Sequence, residues 1–446
     1  CIKKNKRKVV NVNKKRKIMM IQYLKKVFTK VYYGVENYIN YVISLIYIYK
    51  NKKRVQKKIN NDKVLNVIFL IQYIPGWNKL EPIYLKMKKD KRFNPIIVCV
   101  PLNIQNNTLI NKNAKNDTYE YFNKQGYKVI NSLRQDGSWY ELKQLKPDYV
   151  FHSRPYNMFM PKCYTSKKIR KNALICNVLY GVNITVNEQD VVINKDYFRD
   201  VYCYFSFDKS EKEFYEKRLS LGFKLGVQCC FPYGAIGIEQ MLQEKSKKAK
   251  SRFKKIVLWT PRWSTDPYIG GSNFFNYKDI MTRLVKQNKN ILFIFRPHPL
   301  MFENFIKTKE MSSEELSEFK QYCEETENLI LDEEKEYTSE FWQSDMLITD
   351  LSGMIPEYFI TEKPIIYCHS TVAFNYTEYA TNMISSCYEA NDQKDLIKYF
   401  NELINGNDYK LSQRKECITA FFGNVNNNSK NILNVLANKK WSEKLC

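Results

Sequence analysis

ITDLSGMIPEYFITEKPIIY, residues 348–367, runs from an apolar segment through a short turn into a helix-like segment and then a second apolar run. A strand that ends at Asp350, turns through Ser352 and Gly353 and resumes as a helix leaves backbone N–H groups unpaired at the helix start, where the dipole is positive. Such a turn can hold a phosphate. It can equally be an ordinary βα turn with Asp350 or Ser352 as the N-cap. The stretch makes one strand–turn–helix–strand unit, and the rest of the chain shows whether the unit repeats.

It does, on both sides. VLNVIFLIQY (64–73), NPIIVCVPL (94–102), KVINSL (128–133), KPDYVFHSRPY (146–156), ALICNVLYG (173–181) and VYCYFSF (201–207) read as strands. NKLEPIYLKMKKD (78–90) and DTYEYFNKQGY (117–127) read as helices between them. A charged segment, QEKSKKAKSRFKK (243–255), marks a linker or a helix crossing between domains. Beyond it KIVLWTP (255–261), NILFIFRPHP (290–299), NLILD, SDMLITD and KPIIYC alternate with helices near 276–288 and 312–326. Apolar strands separated by helices of about ten residues imply βαβ units and parallel sheets. The expected architecture is α/β and GT-B-like, with two Rossmann-like domains facing a cleft, at 64–242 and 243–446.

Residues 1–63 stand apart. They hold 19 of the 72 lysines and arginines against only Glu36 and Asp62, and so carry +17 of the net +26. Apolar residues at Ile21, Leu24, Phe28, Val31, Val35, Tyr38, Val42, Leu45 and Tyr49 recur at helical spacing between lysine clusters. The uncharged run from Asn37 to Tyr49 is shorter than the roughly 20 residues of a spanning helix. Two readings follow: a helix lying on an anionic membrane surface, or one packed on the protein's own core with a solvated lysine face. The twelve cysteines form no C-x-x-C pair and no zinc spacing with histidine. Cys99, Cys203 and Cys368 sit in apolar runs, as in a reduced cytoplasmic protein.

Three strand ends of the second half carry candidate chemistry: Arg262 in WTPRWS, Arg296 and His298 in RPHP, and Asp350, Ser352 and Gly353 in the turn quoted above. In a parallel sheet these loops share one edge, and two arginines, a histidine and a hydroxyl there suit a diphosphate. His298 is one of three histidines and is bracketed by prolines; His152 in FHSRPY is a second candidate. Glu357, on the helix after the turn, would face the ligand or be solvated. No G-x-G-x-x-G follows a strand and no G-x-x-x-x-G-K-[ST] occurs, which excludes a nicotinamide dehydrogenase and a P-loop NTPase. No Asp-x-Asp metal motif appears either, so neither a metal nor another cofactor is expected.

The order LWTPRW, FRPHP and TDLSGMIPEYFITEKPIIY resembles the carboxy-terminal domain of the CDP-glycerol glycerophosphotransferase family, whose members prime and polymerise teichoic acids and related capsules. Asp350, Ser352, Glu357, Lys363 and Pro364 match that family's last motif, with Thr349 and Gly353 standing for serines, and His298 matches its His-Pro motif. The resemblance spans Ile256 to about Ala390. It implies that His298, with Arg296, stabilises the transferred phosphate, and that Arg262, Asp350, Ser352, Gly353 and Glu357 serve the donor. The family's first-domain Trp-His-Gly base is replaced here by LYGVN, with Tyr180 before Gly181. Tyr180, His152 or an acceptor-bound phosphate is then left for the base.

The expectation is a transferase, peripheral on the inner face of the membrane. It would move glycerol phosphate, or a related alditol phosphate, from a CDP-activated donor to a cell-surface glycopolymer or its lipid-linked precursor. The same diphosphate site would serve a GT-B glycosyltransferase using a nucleotide sugar. A basic, non-catalytic nucleic-acid-binding protein is the reading from another class; no RNA-binding motif supports it, and nucleic acid is not an expected partner.

Overall fold

The computed structural model describes residues 34–439 apart from 111–114, 188–192, 194–195, 246–248, 270, 335 and 423–424. The apolar positions expected at Ile21, Leu24, Phe28 and Val31 lie outside the described residues.

The apolar runs become strands, the central ones buried on both faces as parallel sheets covered by helices require, and the edge strands Val129–Asn131 and Leu329–Leu331 partly exposed. In the first sheet these are β1 (Leu65–Ile71), β2 (Phe93–Cys99), β5 (Val129–Asn131), β6 (Tyr149–His152), β7 (Leu174–Val178), β8 (Val201–Phe205) and β9 (Cys229–Phe231); β3 (Ile104–Gln105) and β4 (Thr108–Leu109) form a separate hairpin. The second sheet holds β10 (Lys255–Thr260), β11 (Ile291–Phe295), β12 (Leu329–Leu331), β13 (Met346–Thr349), β14 (Ile365–Cys368) and β15 (Tyr388–Ala390).

Both sheets are wholly parallel. The first has the order β5-β2-β1-β6-β7-β8-β9 and the second β12-β11-β10-β13-β14-β15. Each starts in the middle, builds outward to one side and then restarts on the other. The crevice of such a fold opens where the order reverses, at the carboxyl ends of β1 and β6 and of β10 and β13. The 348–367 stretch forms β13, the helix Met354–Phe359 and β14, so its turn lies at the second of these points.

The helix expected over 78–90 begins later. Ile74–Lys79 is a 3₁₀ turn, and the α-helix spans Glu81–Lys88 with a proline in its first turn, where the missing N–H costs nothing. This break turns the Lys79 side chain out of the helical series. The helix Ser313–Glu325 starts at a capping box, in which the Ser312 hydroxyl and the Glu315 carboxylate each accept the other residue's N–H.

Two segments cross-brace the first domain. Residues 34–60 form one helix whose Tyr41, Leu45, Ile48, Val55 and Ile59 enter the first-domain core. Its Arg54 and Lys58 both pair with the buried Asp148 at 2.7 Å. Its Ser44 lies in a buried network with Arg170 and Asp200. The inward line is offset from the apolar stripe noted above: Val35, Tyr38 and Tyr49 face outward, and among the described members of that stripe only Leu45 is fully buried. At the other end of the chain, Asn428–Leu436 returns from the second domain to the first. Ile432, Leu433 and Leu436 join the first core, and the Tyr149 hydroxyl donates to the Leu436 carbonyl at 2.9 Å.

Candidate active site

Three loops of the second domain meet at its switch point and are tied through their backbones. The His298 N–H donates to the Pro261 carbonyl at 3.3 Å, joining the loops after β11 and β10. The Arg262 N–H donates to Asp350 Oδ2 at 2.8 Å, and the Arg262 guanidinium donates to the Leu351 carbonyl, joining the loops after β10 and β13. Below them the Thr260 hydroxyl donates to the Thr349 hydroxyl across paired strands at 2.8 Å.

Asp350 is buried, and its carboxylate also accepts from the backbone and side-chain nitrogens of Asn273, the latter at 3.0 Å. Burial pushes its pKa up to about 6, against the pull of these donors. Asp350 therefore fixes the relative positions of the loops and of the helix Phe274–Gln287. It does not cap the helix that follows it, because its oxygens are already taken. Ser352 occupies the turn: its hydroxyl oxygen accepts the Met354 N–H at 3.2 Å, which leaves its own proton to donate. Gly353 has ordinary right-handed backbone angles.

His298 is exposed, and its ring lies 6.4 Å from that of Trp263. Its Nδ1 accepts the Leu300 N–H at 3.1 Å, so in the neutral ring the hydrogen sits on Nε2. The loops around the ring remove part of its hydration, and this, then the charge of Arg262, holds its pKa below the ordinary histidine value. At neutral pH the ring is an uncharged donor.

The other expected site residues lie elsewhere. Arg296 is buried in an ion pair with Asp332 and donates to the Glu334 carbonyl. It steadies the 332–337 loop, and its charge is already matched. His152 is buried at the end of β6, with its Nε2 3.3 Å from the Tyr164 carbonyl and its ring edge-on to Tyr197. Burial lowers its pKa to about 4. Tyr180 stands in the loop after β7 with its hydroxyl 2.8 Å from that of Tyr156. Burial, and then the neighbouring phenol, hold its pKa well above the ordinary tyrosine value, so it keeps its proton at neutral pH.

Glu357 neither reaches open solvent nor stands free for a ligand. Its Oε1 lies 2.7 Å from the Lys79 ammonium of the first domain, and its Oε2 accepts from the Tyr337 hydroxyl. The Lys79 ammonium donates to the same hydroxyl at 2.9 Å, and both charged side chains are 7% exposed. Burial alone would lower the Lys79 pKa, but Glu357 and Tyr337 outweigh it and hold it above the ordinary lysine value. The correction has a physical cause: Pro82 and the 3₁₀ turn bring a cation across the cleft, and a buried carboxylate takes the partner that spares it an unpaired charge.

Residues 240–438 match the family model described as CDP-Glycerol:Poly(glycerophosphate) glycerophosphotransferase. The match lies in the second half of the chain and takes in the loops that carry Arg262, His298 and Ser352. Among solved structures, S. aureus MnaA in its UDP co-structure is 15% identical, with a TM-score of 0.56 over 83% of this chain and 95% of that one. UDP-GlcNAc 2-epimerase from Neisseria meningitidis is 14% identical, with a TM-score of 0.55 over 83% and 98%. The wall teichoic acid polymerase TagF is 13% identical, with a TM-score of 0.49 over 89% and 97%. At these identities the epimerases share the two-domain fold. No curated protein sequence matches the chain.

Sequence reasoning missed Lys79 and Tyr337, which lie on the two sides of the cleft beside the loops of the family-matched segment. The break at Pro82 was the available signal for Lys79; Tyr337 had none. Lys79→Ala leaves Glu357 buried without its cation, a change that typically costs about 3–5 kcal/mol. We expect the variant to become sensitive to proteolysis in the 332–337 loop, as limited digestion would read. An unchanged digestion pattern would mean that the pair does not hold the domains together.

Proposed function

We propose that the protein transfers glycerol phosphate, or a related alditol phosphate, from a CDP-activated donor to a hydroxyl of a glycopolymer or its lipid-linked precursor. The observation that carries this reading is the convergence of Arg262, His298 and Ser352 at the switch point of the family-matched domain. An acceptor hydroxyl attacks the β-phosphorus. The new P–O bond forms to the acceptor, the bond to the bridging oxygen breaks, and CMP leaves with that oxygen and its electron pair. Charge is dispersed over the transferred group, so the demand falls on positioning and on donors rather than on a strong base. The Ser352 hydroxyl and the guanidinium of Arg262 hold the diphosphate, and His298 Nε2–H donates to the oxygens on which charge develops. Asp350 positions these loops. Tyr180 keeps its proton and His152 lies in the core, so in this reading the acceptor proton passes to an acceptor-bound phosphate.

The exposed residues Val35, Tyr38, Ile39, Ile46 and Tyr49 form one apolar stripe on the helix 34–60, beside the exposed Lys50 and Lys53. This pattern suits the headgroup region of an anionic membrane, and we place the enzyme there, peripherally on the cytoplasmic face. Among the described residues no helix is long and apolar enough to cross a membrane.

Calorimetry on the full chain with CDP-glycerol, CDP-ribitol, UDP-glucose and CMP tests the donor. A CDP-alditol should bind more tightly than UDP-glucose. Ser352→Ala should weaken it about tenfold, the effect of roughly 1.4 kcal/mol from a lost bond to a charged oxygen. Binding of UDP-glucose alone would move the reaction to glycosyl transfer.

A further inference from the structure

Arg154 is part-buried, and among the described residues its guanidinium meets only neutral groups. It lies two residues beyond β6, at the switch point of the first sheet, where Tyr73 and Tyr180 follow the ends of β1 and β7. Its Nε and Nη2 both donate to the neutral Gln72 Oε1, at 3.0 and 2.8 Å. The guanidinium lies 4.5 Å from the centre of the Phe159 ring and 5.8 Å from that of Tyr73. Among the described residues no carboxylate pairs with it. Among the described residues the three fully buried arginines each meet a carboxylate, Arg170 that of Asp200, Arg296 that of Asp332 and Arg414 that of Asp408, whereas the part-buried Arg154 meets none. A cation partly withdrawn from water is stabilised when an anion meets it. Gln72 is itself held by the Pro101 carbonyl at 2.9 Å and by that of Phe159, so the guanidinium is aimed rather than mobile. Tyr156 and Tyr180 join hydroxyls beside it, and Tyr180 can accept from Tyr156 and turn its own O–H to a bound oxyanion.

We propose that Arg154, with Tyr73, Tyr156 and Tyr180, is the subsite that binds a phosphate group of the acceptor. The inference rests on the transfer reaction proposed above and assigns the residues that would hold the acceptor's phosphate. The neighbouring loop supports the placement. Tyr180 runs into Gly181 and Val182, and the Val182 backbone N and O lie 4.0 and 3.9 Å from where a Cβ on Gly353 would stand. The phenol–arginine cluster and the donor turn are thus on two sides of one loop. A phosphate held at Arg154 presents a hydroxyl on the neighbouring glycerol or sugar unit toward that turn. The phosphate can belong to a glycerol phosphate polymer or to the diphosphate of a lipid-linked precursor, and planar bidentate recognition by arginine suits both.

The test uses full-length protein and Arg154→Gln, with Arg154→Lys as the charge-retaining control and the circular dichroism melt of each as the check on folding. CDP-glycerol binding is measured first, then binding of a short glycerol phosphate oligomer and of a short-chain prenyl diphosphate sugar, each by calorimetry. Arg154→Gln should keep CDP-glycerol affinity within about twofold and lose at least tenfold for one of the two acceptor probes, which identifies the source of the phosphate. The KM for that acceptor should rise while kcat changes less, and Arg154→Lys should recover part of the affinity. Wild-type affinity of Arg154→Gln for both probes overturns the subsite. Loss of CDP-glycerol binding by the wild-type chain, with acceptor binding still dependent on Arg154, overturns the donor reading and leaves the subsite standing.

Discussion

His298→Ala should lower transfer from a CDP-alditol donor by two or more orders of magnitude with little change in thermal stability. One donor aimed at developing charge is worth about that much when removed, and an exposed side chain on a tied loop adds little to folding. His298→Asn tests the assigned role, since an amide can donate but cannot exchange a proton. It should retain more turnover than alanine. The ring is neutral because its folded pKa lies below the ordinary 6.5. A proton NMR titration of the ring should show no inflection between pH 5.5 and 8. An inflection near 6.5, or near-normal turnover of the alanine variant, would remove His298 from the mechanism.

Deleting residues 34–60 should abolish cooperative folding. The helix places Tyr41, Leu45, Ile48, Val55 and Ile59 in the first-domain core, with Ile48 and Val55 at 1% exposure. Each buried aliphatic side chain contributes roughly 1.5–3 kcal/mol, against a total stability of about 5–15 kcal/mol for a domain. The deletion also strips Arg54 and Lys58 from Asp148 and Ser44 from the Arg170–Asp200 pair, leaving buried charge short of partners. Ile48→Ala is the milder version and should cost about 2–5 kcal/mol. Replacing the outward Val35, Tyr38 and Ile46 with serine should leave the melt unchanged, while sedimentation with anionic vesicles falls. A deletion variant that still melts cooperatively at the wild-type temperature would show that the helix is an appendage.

The arrangement of elements follows from local rules that the sequence states openly. Apolar runs such as 64–73 and 255–261, spaced by amphipathic helices, can bury both faces only as parallel strands under helical layers, so two βα-repeating halves were legible before any coordinates. The loops bearing Arg262, His298 and Ser352 were legible too, because strand ends in a parallel sheet share an edge. What each of those side chains meets there was not legible. Arg296 and Glu357 read as ligand-facing charges, yet a buried charge takes the nearest opposite one, and Asp332 and Lys79 lie far from them in sequence. The Arg154 cluster was invisible for the same reason: its arginine and three tyrosines come from three strand ends joined only by the strand order. The amphipathic pattern from Ile21 to Tyr49 marked an apolar face and said nothing of what covers it, and no pattern marked the helix Asn428–Leu436. Helical periodicity is local, whereas the choice of surface is made by the shape and charge of the rest of the fold, and here both helices close on the first domain.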